Sequence, residues 1–172
     1  MYIEGNLVTA GEKTRLHDAP FGVRTYDPEK TSPGYTLFSP AWGDREYLID
    51  MRGLVVHTWE VSHSNVAELL PNGNLFTHKC GYWLEELTPD SKTIWRWEGT
   101  PDLAAPNHHD FWAGDNLIVT LAAVNEPVVD GLFVNGTEPD DIRTDVIIMI
   151  DRATKRELWR FTFSDHLDNL CA

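Results

Sequence analysis

Several features are scarce in this chain of 172 residues, and each scarcity excludes a class of protein. The two cysteines, Cys80 and Cys171, are too far apart for a disulfide framework or a cysteine-rich metal motif. The 14 basic residues are outnumbered by 27 acidic ones, and the net charge of -13 argues against a nucleic-acid partner. No apolar run approaches the roughly 18 residues of a membrane-spanning helix, so we expect no membrane partner.

Helical periodicity and targeting signals are also missing. No segment keeps apolar residues at positions i, i+3, i+4 and i+7 for three turns, so we expect no α-helix. The first six residues lack the basic and apolar regions of a signal peptide. The sequence as given therefore predicts a cytoplasmic, all-β protein.

One phrase occurs three times in the chain: an apolar strand, a polar turn and a second strand that ends on tryptophan. The copies run from Tyr47 to Trp59, from Trp83 to Trp97 and from Val146 to Trp159. A single hairpin cannot bury its own apolar face, so a repeated hairpin indicates a stacked or radial β architecture. The repetition also accounts for part of the seven tryptophans.

Short strands separated by turn residues fill the rest of the chain from residue 34 onward. Residues 1–33 are polar and irregular, so we expect an N-terminal arm there, and we expect residues 125–144, which are rich in Pro, Gly, Asp and Glu, to form a long loop. The predicted strands are Tyr35–Ser39, Glu46–Met51, Val55–Val61, Val66–Leu70, Asn74–His78, Tyr82–Leu87, Thr93–Glu98, His108–Trp112, Asn116–Ala122, Asp145–Ile150 and Glu157–Phe163.

The repeat has a period near 40 residues, which matches one four-stranded blade of a β-propeller. The chain then holds about three blades in residues 34–172, whereas closed propellers have about four to eight. An open stack of three blades would expose sheet faces and edges, which proteins avoid. We therefore expect a partial propeller that a second polypeptide completes.

Four phrases together resemble a known family. They are Gly34-Tyr-Thr-Leu-Phe-Ser-Pro, the strand from Tyr47 to Trp59, Leu69-Leu-Pro-Asn-Gly-Asn-Leu, and His108-His-Asp. In this order they look like the N-terminal part of arylsulfotransferase-like proteins, and the likeness runs from Tyr26 to the C-terminus. The resemblance implies a six-bladed propeller, of which this chain supplies half.

The resemblance also implies a reaction. Characterised members move a sulfuryl group from an aryl sulfate to a phenol without a nucleotide donor. A histidine near the central axis is transiently sulfated, and other histidines and an arginine bind the sulfate. Most of these groups belong to later blades, so the resemblance implies only a helper histidine here, at His108 or His109.

The triplet His108, His109 and Asp110 is the main catalytic candidate. It begins the third repeat, where the first strand of a blade lines the central channel. Adjacent strand residues point to opposite faces, so both histidines reach one ligand only if the strand is bulged. Asp110 is the carboxylate expected to fix an imidazole tautomer.

Three further residues are candidates for binding a small aromatic or anionic substrate. His78 follows an inner strand, and His63 lies in a loop near the channel mouth. Arg143 lies in the long loop and carries a planar guanidinium suited to oxyanions. As acid, base or anion binder, a histidine of this group would act on the substrate in the channel.

Two alternative functions remain open at the level of sequence. A divalent metal held by His108 and His109 would make the protein a hydrolase, lyase or oxidase, although no metal-binding spacing is present. The other alternative is a scaffold subunit without catalysis. No cofactor is required by the sequence itself.

Overall fold

The structure, a computed structural model, describes residues 2–3, 6–7, 27, 29–41, 43–127 and 141–166. These residues form an all-β protein with fourteen strands and a single short 3-10 turn, Ser164–His166. The strands make a two-stranded pair and three larger antiparallel sheets. The pair joins β1 (Tyr2–Ile3) to β2 (Asn6–Leu7).

The three larger sheets follow one another along the chain and are numbered I to III. Sheet I contains β3 (Thr36–Phe38), β4 (Gly43–Ile49) and β5 (Val55–Ser64). Sheet II contains β6 (Ala67–Leu69), β7 (Leu75–Lys79), β8 (Trp83–Leu87) and β9 (Thr93–Trp97). Sheet III contains β10 (Leu103–Ala105), β11 (Phe111–Ala113), β12 (Leu117–Pro127), β13 (Asp141–Asp151) and β14 (Glu157–Thr162).

Strand order follows chain order in sheets I and II, because each turn reverses the chain beside the strand just completed. In sheet III, β10 and β11 both pair with the same edge of β12, and β13 and β14 follow on its other side. Each of the three hairpins that end on tryptophan therefore forms the last two strands of one sheet: β4 and β5, β8 and β9, and β13 and β14.

Sheet II lies between the other two sheets and is covered on both faces. Because side chains alternate along a strand, Leu75 and Leu87 face sheet I, where they pack with Trp59. Phe76 and Leu84 face the opposite way and join the largest apolar cluster with residues of sheet III. Its other buried members are Leu70, Trp97, Ala113, Ile118, Ala122, Val124, Val146, Ile148 and Ile150.

Polar contacts fix the junction between sheets II and III at one end. Arg152 of sheet III pairs with Glu86 of sheet II and donates to the Gly114 carbonyl. Glu86 also accepts a hydrogen bond from Asn74, and the Trp95 indole donates to the Arg152 carbonyl at 2.8 Å. These bonds compensate the desolvation of a nearly buried ion pair.

The predicted all-β class and most predicted strands are confirmed, with differences at the ends. The paired strands β12 and β13 extend into both ends of the expected loop 125–144, with Pro127 opposite Asp141, and residues 128–140 lie outside the described residues. The expected strand His108–Trp112 is wrong in its first half, because regular pairing begins only at Phe111. Most of the expected arm 1–33 also lies outside the described residues.

The sheets also differ from the expected uniform units of four strands. Sheet I has three strands and sheet III has five, since β10 pairs with β12 beside β11. The pair β1–β2 and strand β10 have no counterpart in the sequence prediction.

Gly99 gives the segment between β9 and β10 a backbone conformation that alanine adopts only with strain. Its φ is +87°, and an added Cβ would lie 2.7 Å from Cγ of Pro106. Gly73 has a similar φ of +85° but open space around it.

We expect Gly73→Ala to lower the free energy of unfolding by about 1–2 kcal/mol through the backbone alone. We expect Gly99→Ala to lower it further, because the clash is added; urea unfolding of both variants measures the difference, and equal losses would contradict it.

Glu46 and Glu86 are two buried carboxyls whose pKa values move in opposite directions. Glu46 is fully buried, and neither of its carboxylate oxygens has a hydrogen-bond partner within 3.5 Å among the described residues. Burial raises its pKa more than the nearby Ser39 and Ser64 hydroxyls lower it. Burial also acts on Glu86, but the hydrogen bonds from Asn74 and Arg152 outweigh it and lower the pKa.

These directions predict opposite pH dependences of stability. A raised folded-state pKa means that the contribution of Glu46 to stability falls as pH rises above about 4.5, whereas that of Glu86 falls as pH drops below about 4.5. Glu46→Gln should therefore stabilise the protein relative to wild type most at neutral pH, and Glu86→Gln should destabilise it there. Urea midpoints from pH 4 to 8 test this, and a destabilising Glu46→Gln at neutral pH would refute the first expectation.

Candidate functional site

The segment between β10 and β11 carries the histidine pair and is fastened to sheet II by Asn107. Asn107 is fully buried, and its side-chain amide donates to the carbonyls of Lys79 and Trp83 at 3.2 and 2.9 Å. Its side-chain oxygen accepts the backbone N–H of Gly81 at 3.3 Å. The turn between β7 and β8 and the histidine segment therefore form one bonded unit.

The histidines lie in a large bulge at the edge of sheet III that β10 and β11 form. Residues 106–110 stand opposite only Leu121 and Ala122 of β12, because Ala105 pairs with Ala123 and Phe111 with Thr120. The bulge remains bonded to β12, since His108 N–H donates to the Leu121 carbonyl at 2.6 Å. Bulges of this kind re-aim side chains relative to the alternation of a regular strand.

A tight γ-turn at the centre of the bulge brings the two imidazoles together. Asp110 N–H donates to the His108 carbonyl at 3.1 Å, and His109 between them has a φ of 76°. This φ belongs to the rarer and strained form of the γ-turn. The strand is therefore bulged, as reaching one ligand with both histidines requires, and the ring centroids of His108 and His109 are 4.2 Å apart.

A carboxylate orients His108, but it is Asp145 and not Asp110. The Nδ1–H of His108 donates to the Asp145 carboxylate at 2.8 Å. The Asp110 carboxylate instead accepts the N–H of Phe111 at 2.8 Å and stabilises the turn. With Nδ1 engaged as the donor, Nε2 of neutral His108 carries the lone pair and is the atom able to accept a proton.

His78 lies behind the pair and is only 1% exposed. Its Nε2 hydrogen-bonds Oδ1 of Asn65, while its Nδ1 is buried without a hydrogen-bond partner among the described residues. Burial lowers its pKa to about 4, the Asn107 side chain and Asp110 oppose this shift, and His109 adds to it. His78 is therefore a neutral group beneath the site, with no surface open to a substrate.

The remaining predicted residues lie at the periphery of this arrangement. His63 is exposed near the end of β5 with a φ of 52°. Arg143 is exposed on β13 and faces the same side of sheet III as Asp145, two residues further along. His108 and His109 are thus brought together, Arg143 shares the face of Asp145, which is the carboxylate partner of His108, and His63 belongs to a different sheet.

An aromatic and cationic cluster lies on the turn that Asn107 holds. The Lys79 ammonium lies 4.7 Å from the Tyr82 ring centroid and 4.8 Å from that of Trp83. Tyr82 is 61% exposed, so its ring is accessible from solvent. Such a combination attracts aromatic and anionic groups.

A metal centre receives no support from the described residues. No group of three or more His, Cys, Asp or Glu side chains among them is arranged to hold a metal ion. A catalytic zinc site ordinarily takes three protein ligands. His108 and His109 supply only two, and the Nδ1 atom of His108 is already bonded to Asp145.

Sequence reasoning missed Asn65, Asn107 and Asp145. The two asparagines occupy the same position in successive repeats, so an alignment of the repeats beyond the hairpins was the signal for them. Asp145 begins the predicted strand Asp145–Ile150, but nothing in its local sequence relates it to His108, 37 residues away.

Comparison of the sequence with protein-family models and with curated proteins finds no match. Among the described residues, no helix is long and apolar enough to cross a bilayer. Function must therefore be argued from the arrangement of residues.

The buried position of His78 predicts its titration. Because burial disfavours the charged form, we expect its imidazole to stay neutral until the pH falls to about 4. The unfolded chain takes up the proton near pH 6.5, so this residue should reduce stability as pH falls from about 6.5 to 4. An NMR titration of the histidine ring resonances, assigned with a His78→Gln variant, measures this pKa, and a value near 6.5 would contradict the burial.

Proposed function

We propose that this chain is the N-terminal half of an arylsulfotransferase-like β-propeller and supplies one wall of its active site. The proposal is supported by three antiparallel sheets that follow one another along the chain, with sheet II covered on both faces by its neighbours. Successive blades of a propeller have this relation. The phrases that resemble the family occupy the strands and turns of these same sheets.

The bulge at His108–Asp110 carries the catalytic part of the proposal. It places two imidazoles 4.2 Å apart on the inner edge of sheet III, and Asp145 fixes the ring of His108 with Nε2 available. A strained turn held by bonds to two sheets is costly to maintain, and such strain is concentrated at functional sites. His108 is then a general acid and base, and His109 its neighbour at the substrate.

The proposed reaction transfers a sulfuryl group in two steps. In the first, the bond between sulfur and the aryl oxygen breaks while a nucleophile of the second polypeptide bonds to sulfur, and protonated Nε2 of His108 gives its proton to the departing aryl oxygen. In the second, an acceptor phenol loses its proton to neutral Nε2 as its oxygen bonds to sulfur, and the bond between sulfur and the nucleophile breaks, which regenerates the free nucleophile. Arg143, on the face that carries Asp145, would bind the sulfate oxygens.

The second polypeptide supplies the remaining blades in this proposal. The inner edge of sheet III is open on the side of Asp145, which is 43% exposed. A closed channel would bring groups of another sheet opposite His108 and exclude water from the reaction. The Lys79, Tyr82 and Trp83 cluster would meet the aromatic ring of the substrate at the channel mouth.

Turnover of 4-nitrophenyl sulfate with phenol as acceptor tests the function, using the protein purified with its associated polypeptides. We expect His108→Gln to reduce kcat about 100-fold to 10,000-fold, because general acid–base catalysis is lost. Asp145→Asn should shift the pH profile of kcat, because it changes the group that orients the imidazole.

His57→Gln is the matched control. His57 lies at the junction of sheets I and II, where its Nε2–H donates to the Pro89 carbonyl at 2.8 Å, and glutamine can keep that bond. We expect this variant to retain wild-type turnover. Full activity of a folded His108→Gln variant would refute the catalytic role, and absence of turnover in the assembled wild-type protein would refute sulfotransfer from this donor.

A further inference from the structure

One face of sheet III points away from sheet II and is apolar. The other face buries Ile118, Ile148 and Ile150 against sheet II, so the residues that alternate with them lie on the opposite side. We call this surface the far face of sheet III: Trp112, Val119, Leu121, Ile147, Met149 and Trp159. Four of these residues form one registered row across β11 to β14: Trp112, Val119, Met149 and Trp159. In the part of the chain that the structure describes, the two tryptophans are 55% and 48% exposed.

Sheet II has a row of the same kind on the face that sheet III covers. Its members are registered partners across β6 to β9: Glu68, Phe76, Glu86 and Trp95. The two rows correspond strand by strand, and each ends on a tryptophan that precedes an arginine in the chain. The far face of sheet III is therefore the counterpart of a face that is covered in sheet II.

The aromatic contact in the junction of sheets II and III has a matching cavity on the far face. In the junction, the ring of Phe111 packs against Phe76 and His78, with centroids 5.1 and 5.9 Å apart. Val119 and Leu121 hold the corresponding register positions in sheet III, and both line a cavity of about 340 Å³. Because protein interfaces are packed as closely as interiors, this cavity is the place for an equivalent ring of a neighbouring sheet.

The tryptophan at the end of the sheet II row has a polar partner in the junction. The Trp95 indole donates to the Arg152 carbonyl, in the turn between β13 and β14, at 2.8 Å. Trp159 holds the same position in sheet III. Since an indole N–H needs an acceptor when it is buried, a sheet that covers Trp159 must bring one, as the turn of sheet III does for Trp95.

The charged members of the sheet II row are absent from the row of sheet III. Glu68 accepts a backbone N–H of sheet III at 3.3 Å, and Glu86 pairs with Arg152. Trp112 and Met149 stand at the corresponding positions of the far face. The covering surface must therefore be apolar there and needs no arginine, because neither side chain carries a charge to pair. A continuous apolar row of this kind is typical of a protein interface.

We propose that the next antiparallel sheet of the propeller, carried by the second polypeptide, packs on the far face of sheet III. The inference rests on the proposed function and names the surface through which its second polypeptide binds. The docking sheet places an aromatic ring between Val119 and Leu121 and a hydrogen-bond acceptor at the Trp159 indole. Asp145 lies on the same face, so this contact also brings groups of the second polypeptide towards His108.

Hydroxyl-radical footprinting of the full chain, alone and with the polypeptides that co-purify with it, locates the contact. We expect Trp112 and Trp159 to be oxidised readily in the isolated chain and to be protected in the complex. Leu158 is the internal control, because it is 56% exposed on the same strand but faces the other way, and its oxidation should not change. A photo-cross-linking benzoylphenylalanine in place of Trp112 should cross-link to a strand of the second polypeptide.

Two variants on one strand test the energy of the contact. The labelled full chain is titrated with the co-purifying polypeptide after the two have been separated. Trp159→Asp should raise the dissociation constant by roughly 30-fold or more, because a charge replaces an aromatic side chain buried in an apolar contact. Leu158→Asp is the matched control and should leave the constant unchanged. Urea unfolding confirms that both variants are folded before they are compared.

Several results would overturn the proposal. They are recovery of the chain as a monomer of 19.6 kDa without a partner, slow oxidation of Trp159 in the isolated chain, a cross-link from position 112 to this chain or to a helix, and equal weakening by the two variants. None of these measurements depends on turnover. A complex that shows the contact but does not turn over 4-nitrophenyl sulfate overturns only the sulfotransfer, whereas an active complex in which Trp159 stays reactive overturns only the contact.

Discussion

Coverage of both faces of sheet II is the constraint on which the rest of the structure depends. One face packs Leu75 and Leu87 against Trp59, and the other packs Phe76 and Leu84 against the isoleucines of sheet III. Because apolar faces on both sides must leave water, neither neighbouring sheet can move away without exposing one of them. The position of sheet III, and with it the position of the histidine pair, follows from this burial.

The histidine site is a local departure from regular pairing that the surrounding structure maintains. A γ-turn with a φ of 76° at His109 is strained, and the bulge gives up ladder hydrogen bonds between Ala105 and Phe111. Asn107 anchors one side to sheet II, and the bond from His108 N–H to Leu121 anchors the other. Such over-determination is what allows strained conformations to persist at functional sites.

Regular features of this protein were predictable from sequence, and features that depend on distant partners were not. Short apolar runs in β4 and β13, the turn residues between strands and the tryptophan at the end of each hairpin identify strands, because runs of this length bounded by turn signals are typical of buried strands. From the sequence, the bulge could be named only as the condition for both histidines to reach one ligand. Its shape depends on the hydrogen bond between Asn107 and the turn at Gly81, which is distant in the chain. The pairing of His108 with Asp145 depends on the register of β12 and β13, which no local pattern contains.

The face of sheet III that points away from sheet II determines how water reaches the histidine site. Asp110 lines a cavity of about 340 Å³ on this face, and Asp145 projects from the same face. While that face is in water, the pair of His108 and Asp145 is solvated, and each charge is screened by a high dielectric. A sheet that covers the face removes that water and strengthens the same hydrogen bond without any change in its geometry. The strength of the hydrogen bond between His108 and Asp145 therefore depends on whether that face of sheet III is in water, because both side chains are partly exposed there.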